Sequence, residues 1–251
     1  MLLIAAISCQ SEYGNPAAEG FLIEESDAKA IAVADQVMEA MGGRQAYDNT
    51  QVLRWDFFGR RSLLWNKATG DVRIDMNDSL DTRLFVNVFS DSSAVMINGR
   101  LVENTDSLQT FGQQAKSIWI NDSYWLVMPF KLKDSGVRLK YIGQDTMVGG
   151  SEAEILELSF ENVGDTPNNK YWVYVDPTDK LVRQWSFFQN AEDKEPRITT
   201  PWSNYEQHGA IKLSGERELA QLENIAVFNT VDERYFTEFK SIQALDEDES
   251  I

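Results

Sequence analysis

Three groups of side chains have the types and spacing to do chemistry. Asp75, Asp78 and Asp81 recur every third residue with Asp71 just before them, a pattern that raises the question of a cation site. A helix-loop-helix calcium loop needs alternating acidic or amide ligands, a central glycine and a closing glutamate. The segment has none of that order, so strand ends and solvated turns account for it better. Glu152, Glu154 and Glu157 read as the outer face of a strand. A glycosidase would need two carboxylates facing each other across a cleft, which spacing along the chain does not establish. His208, the single histidine, has Glu206 two residues before it and Gly209 after it, and reads as a surface residue beside a turn rather than a general base. There is no Gly-x-Ser-x-Gly elbow, phosphate loop or dinucleotide fingerprint. No catalytic residue, metal ligand or cofactor is therefore assigned, and the chain is read as a non-enzyme.

Cys9 is the only cysteine, which excludes an internal disulfide and a cysteine-rich metal site. It ends the short apolar run Met1-Leu2-Leu3-Ile4-Ala5-Ala6-Ile7-Ser8 and precedes the polar, Gly- and Pro-containing stretch that begins at Gln10. The run resembles the end of a bacterial lipoprotein signal, with Ala6-Ile7-Ser8-Cys9 as its lipobox and Ser8 as the small residue before the cut. That resemblance implies lipidation at Cys9 and a membrane-held protein of the cell envelope, on the periplasmic or external side, with the outer membrane as the favoured site. Ala6 stands where leucine is commoner, and no Lys or Arg precedes the apolar run. Because a secretory signal normally has a basic start, Met1 is read as an internal start.

Aromatic side chains are the remaining clue. Seven tryptophans are present, and strict alternation puts Trp55 on one strand face with Leu53 and Phe57, and Trp185 on one face with Phe187. Aromatics with a polar handle suit the wall of a pocket for an amphiphile. Trp55, Phe57, Trp65, Trp125 and Trp185 are the expected ligand-binding residues.

The bulk numbers bound the partners. Lys and Arg total 23 against 40 Asp and Glu, a formal charge of −17, which opposes nucleic-acid binding. Hydrophobic residues are 43% and charged residues 25%, as in a soluble globular domain. No run of about 20 apolar residues follows the N-terminus, so no spanning helix is expected.

The elements that must position the aromatics follow from periodicity. Ile31, Ala34, Val37, Met38 and Met41 predict a helix capped by Ser26 or Asp27 and stopped by Gly42-Gly43. Short strands then alternate with turns from Val52 to Val102, and Asn98-Gly99 predicts a hairpin turn with positive φ at both positions. Asp106 to about Asp122 reads as a second helix, followed by an apolar segment, Tyr124 to Phe130, as a short helix or loop across the sheet. Strands resume at Val137–Ile142, Ala153–Phe160, Tyr171–Asp176 and Leu181–Phe188. Further candidates are 197–205, 211–213 and Ile225–Asn229. The organisation expected is a signal end at 1–9, a tether at 10–25, one domain at 26–240 and an acidic, disordered tail at 241–251. The fold expected is mainly β (α+β), one strongly curved antiparallel sheet forming an incomplete barrel, with helices on its concave side.

Several motifs carry a wider resemblance. Met41-Gly42-Gly43-Arg44-Gln45-Ala46-Tyr47, Trp55-Asp56-Phe57-Phe58-Gly59, the stretch from Tyr124 to Leu132 and Val163-Gly164-Asp165-Thr166-Pro167-Asn168-Asn169-Lys170-Tyr171 resemble a widespread set of uncharacterised bacterial lipoproteins. In element order these are similar to the LolA/LolB-like lipoprotein carriers. That resemblance implies a half-barrel with helices as a lid and acyl chains held on the concave face. It implies no catalytic residue. The function expected is binding of a hydrophobic or amphiphilic ligand, a lipid or lipoprotein acyl chains. The alternative is a scaffold lipoprotein that acts on a protein partner through its acidic surface. The polar loop 163–170 is a structural turn on its residue types, or the rim of a binding mouth.

Overall fold

The computed structural model describes residues 14–161, 166, 168–218, 220–238, 242 and 245. Cys9 and its lipobox, residues 10–13 of the tether, Val163–Asp165 and Pro167 of the polar loop, and the acidic run 246–251 lie outside the described residues.

The chain adopts the expected mainly β architecture, with helices packed against a large curved antiparallel sheet. Helices α1 (Ala28–Ala40) and α2 (Arg44–Asn49) lead into strands β1 (Val52–Phe57), β2 (Arg61–Asn66), β3 (Asp71–Met76), β4 (Arg83–Asn87), β5 (Ser93–Ile97) and β6 (Arg100–Leu101). The long helix α3 (Thr105–Val127) and a 3₁₀ turn (Met128–Lys131) cross to β7 (Val137–Thr146), β8 (Glu152–Phe160), β9 (Lys170–Val175), β10 (Val182–Phe188) and β11 (Ile198–Pro201). Strands β12 (Ser203–His208), β13 (Ile211–Arg217) and β14 (Ala220–Phe228) then return to β1, and α4 (Arg234–Thr237) follows.

The strands form two ladders. One runs β12-β13-β14-β1-β2-β3-β4-β5-β6 and the other β11-β10-β9-β8-β7. The single sheet expected from the sequence is interrupted between β11 and β12, within the stretch 197–205 that reads as one strand. Trp202 sits at this step, 1% exposed, with its backbone N–H donating to the Arg183 carbonyl. The register shifts between Arg54 and Asp56, between Tyr141 and Gly143, and between Val182 and Gln184. An extra residue on one strand bends it and increases its twist, which curves the sheets.

Alternation divides the side chains of β1. Leu53, Trp55 and Phe57 enter a core shared by both sheets, α1 and α3, whereas Val52 joins Leu64, Ala226 and Phe228 in a smaller cluster. That second cluster is closed by Tyr235, Ile242 and Leu245, and Arg54 donates to the carbonyls of both Ile242 and Leu245. Packing thus continues to Leu245, the fifth residue of the stretch read as an acidic tail, because Ile242 and Leu245 cover this patch.

The boundary at residue 26 also moves. Asn15 is buried, its Oδ1 accepts from Arg44 N, and its carbonyl accepts from Lys133 Nζ, which also pairs with Asp35. Phe21 is buried in the main core. From Asn15 onward, the stretch read as tether is therefore part of the packed domain. Ser26 and Asp27 serve a different end from the capping expected of them. Asp27 is the N-cap residue of α1 but makes no side-chain cap bond; it accepts from Tyr141 N, and Ser26 Oγ accepts from Leu139 N. These side chains satisfy the free edge of β7.

Helix α1 ends as its glycines require. Gly42 has φ +114°, and a Cβ there would meet the Ala210 carbonyl oxygen at 2.3 Å. Asn98 and Gly99 have φ 50° and 72°, the expected hairpin turn between β5 and β6. Helix α3, capped by Asn104 accepting from Ser107 N, does not stop at Asp122 but runs to Val127. Asp122 is no breaker there because its charge is met by Arg61, and Leu126 and Val127 behind it are fully buried. Pro129 ends the helical run in the 3₁₀ turn.

Candidate functional site

A cavity of about 700 Å³, open to solvent, lies between the C-terminal half of α3 and the five-stranded sheet. Helix α3 contributes Trp119, Tyr124 and Trp125 to its wall. The start of β9 and the strands beside it contribute Phe160, Tyr171, Trp185, Phe187 and Ile198, and Trp65 reaches in from β2. The turn after α3 places Lys131, Asp134 and Ser135 on the lining, and the polar loop places Thr166 and Asn169 there.

The rings hold one another. Tyr171 stacks on Trp185 with centroids 5.1 Å apart and planes 14° from parallel, and Trp125 meets Trp185 edge-on at 4.7 Å. Tyr124 lies 5.5 Å from Tyr171, and Trp119 meets Trp65 edge-on at 5.3 Å. Edge-to-face and offset contacts of this kind stabilise beyond area burial, so the wall is a preformed surface. Behind it, the Arg217 guanidinium lies 3.4 Å over the Trp202 ring and donates to the Trp125 carbonyl at 2.8 Å. Burial lowers the Arg217 pKa to about 9, and none of the described carboxylates pairs with it.

Polar groups also lie on the wall. Lys131 is paired with Asp134. Burial raises the Tyr124 phenol well above its ordinary pKa, and the nearby Tyr171 and Asp134 add to the shift. Asn169 Nδ2 donates to Thr166 Oγ1 at 2.5 Å and lies 3.4 Å from Tyr171 OH. The buried Tyr124 OH and the indole N–H groups of Trp65, Trp119 and Trp185 have no hydrogen-bond partner among the described residues. Trp55 and Trp202 are in the same state, so unpaired indoles mark the core as well as the cavity.

Three of the five expected binding residues, Trp65, Trp125 and Trp185, line the cavity. Trp55 and Phe57 do not: Trp55 is 0% and Phe57 3% exposed, and Phe57 is sandwiched between the Phe58 ring and the Arg61 guanidinium. Both belong to the shared core instead. Sequence reasoning missed Trp119, Tyr124, Phe160 and Tyr171. Helical spacing gave no signal for the α3 pair, since Trp119 lies more than about 100° around the helix from both Tyr124 and Trp125.

Most of the carboxylates considered as sites have structural partners. Asp75 pairs with Arg73, Asp81 with Arg83, and Asp78 accepts from the N–H groups of Leu80 and Thr82. Glu154 is 8% exposed rather than on a wet face, and it accepts from Lys180 at 2.8 Å. His208, at the end of β12, is not on the cavity, and burial lowers its pKa against the opposing pull of Glu206.

No family model and no curated protein matches the chain. Several solved structures are similar to the chain. One is a DUF1329 family protein from Desulfovibrio piger, 15% identical with a TM-score of 0.44, over 86% of this chain and 99% of that one. Another is an outer membrane lipoprotein-sorting protein domain from Vibrio parahaemolyticus, 10% identical with a TM-score of 0.44, over 83% and 96%. MucB is similar over 89% of this chain and 65% of its own, at 13% identity and a TM-score of 0.27. These are likenesses of fold. Among the described residues, no helix is long and apolar enough to cross a membrane.

Proposed function

We propose that this chain is a lipid-anchored binding protein of the bacterial cell envelope that takes a hydrophobic or amphiphilic ligand into the cavity beside α3 and acts without chemistry of its own. The observation that carries this reading is the open, aromatic-walled space of about 700 Å³, a size that suits a small amphiphile or part of a lipid. Ligand burial there contributes about 25 cal/mol per Å² of apolar surface before association and ordering costs are deducted. Cys9 supplies the anchor in this reading, and the apolar run with its small residue before the cysteine supports it.

The test is native mass spectrometry of the purified protein after exposure to a lipid extract of bacterial envelopes. A retained lipid, lost in a Trp119→Ala/Trp125→Ala double variant, is expected. Nothing retained, together with a salt-sensitive protein partner recovered on the acidic surface, would move the function to a scaffold. An unmodified thiol on an uncleaved Cys9 would remove the anchor.

A further inference from the structure

The lining exposes mostly apolar surface, yet polar side chains are numerous among its residues. Eight of its residues are aromatic, eight are polar and only three, Ile120, Val137 and Ile198, are aliphatic. Pockets for apolar ligands are mostly hydrophobic, with a few polar groups to fix orientation. Here the polar groups equal the aromatic ones. They include the Lys131–Asp134 pair and a seam in which Tyr171 lies beside Tyr124 and Asn169, and Asn169 bonds Thr166.

The charges of the described lining residues cancel. Among the described lining residues, Lys131 is the one cation and is already paired with Asp134, the one anion. A phosphate or carboxylate headgroup would need an uncompensated cation, and a quaternary ammonium an uncompensated carboxylate or a free ring cage. Hydroxyl groups need neither. Each donates and accepts, as do the side chains of Ser117, Asn121, Ser123, Ser135, Thr166 and Asn169. A Lys–Asp pair offers a donor and an acceptor side by side, which matches a vicinal diol. The C–H face of a sugar ring packs well on an aromatic ring, and the wall supplies such rings next to the seam.

We infer that the cavity receives the headgroup of its ligand, and that this headgroup is a neutral polyol, a sugar or a glycerol-like group. The inference rests on the cavity being the ligand site. The residues that set the preference are Asp134 and Asn169, which lie on separate segments of the chain.

Three amphiphiles with the same twelve-carbon chain test this, each titrated below its micelle concentration and read by tryptophan fluorescence. Dodecyl maltoside presents hydroxyls, dodecyl octaethylene glycol ether presents almost only acceptors, and dodecylphosphocholine presents charges. The maltoside is expected to bind about tenfold more tightly than the ether, because a site built to bond hydroxyls is left unpaired by an analogue without them. Asp134→Ala and Asn169→Ala are each expected to bring that ratio towards one, and having two variants keeps the test alive if one fails to fold. Equal affinities for maltoside and ether would overturn the polyol preference and leave the cavity function standing. Tightest binding of the phosphocholine would overturn it in favour of a charged headgroup. No binding of any of the three would overturn the cavity reading itself.

Discussion

Arg61 on β2 and Asp122 on α3 meet through both arms of the guanidinium, Nε to Oδ2 at 2.6 Å and Nη2 to Oδ1 at 2.7 Å. Asp122 has no exposed side-chain surface, and Asn121 Nδ2 donates to its Oδ1 at 2.9 Å. Burial pushes the Asp122 carboxyl up despite the opposing effect of Arg61. The pair fastens the nine-stranded sheet to the helix whose next residues, Tyr124 and Trp125, wall the cavity.

Removing one partner leaves a buried charge unpaired, so Arg61→Met is expected to cost about 3–5 kcal/mol. An Arg61→Met/Asp122→Leu double variant should recover most of that loss, since the desolvation of both charges disappears. Urea unfolding of the two variants and the parent decides it. A double variant as unstable as the single one would mean that the pair supplies more than charge compensation.

Lys67 gives a pH signature. Its ammonium sits over the Tyr47 ring, donates to the Tyr47 carbonyl, and is lowered by burial from 10.5 to about 8. Below pH 8 the folded protein carries the cost of the buried charge in full. Between 8 and 10.5 the folded chain has released this proton while the unfolded chain still binds it, so stability rises with pH across that window. The stability difference between the parent and Lys67→Met, followed by denaturant midpoints from pH 7 to 10.5, should rise accordingly. A flat difference would show that the amine keeps its ordinary affinity for the proton.

Gly42 tests the end of α1. At φ +114° an alanine is strained, and its Cβ would collide with a backbone oxygen. Gly42→Ala is expected to lose roughly 1–3 kcal/mol, read as a lower thermal midpoint. Gly59→Ala makes the control: its φ is +63°, but a Cβ there would touch nothing within 4 Å.

Trp55 and Trp119 separate core from cavity. Trp55→Ala should cost about 3–5 kcal/mol of stability while the folded fraction binds dodecyl maltoside as the parent does. Trp119→Ala, at a half-buried lining position, should weaken maltoside binding severalfold at a smaller cost in stability. Equal binding by the two variants would mean that the ligand does not contact the α3 wall.

The elements were legible in the sequence because local patterns decide them. The apolar stripe of α1, the glycines after it and the Asn98-Gly99 turn all act within a few residues, and each appears where its pattern puts it. The site was legible only in part. Alternation shows that Trp55 and Trp65 each share a face with their neighbours, but not that Trp55 faces the closed core and Trp65 the cavity.

What tertiary structure alone decided is whatever depends on partners distant in sequence. The continuation of α3 through Asp122 needed a cation from a strand 61 residues earlier. The burial of Glu154 needed Lys180, 26 residues on. The inclusion of Asn15 and Leu245 needed Lys133 and Arg54. A charge or an unpaired carbonyl reads as exposed from its own sequence neighbourhood, because burying it alone is costly. Only the folded chain brings in the partner that removes that cost.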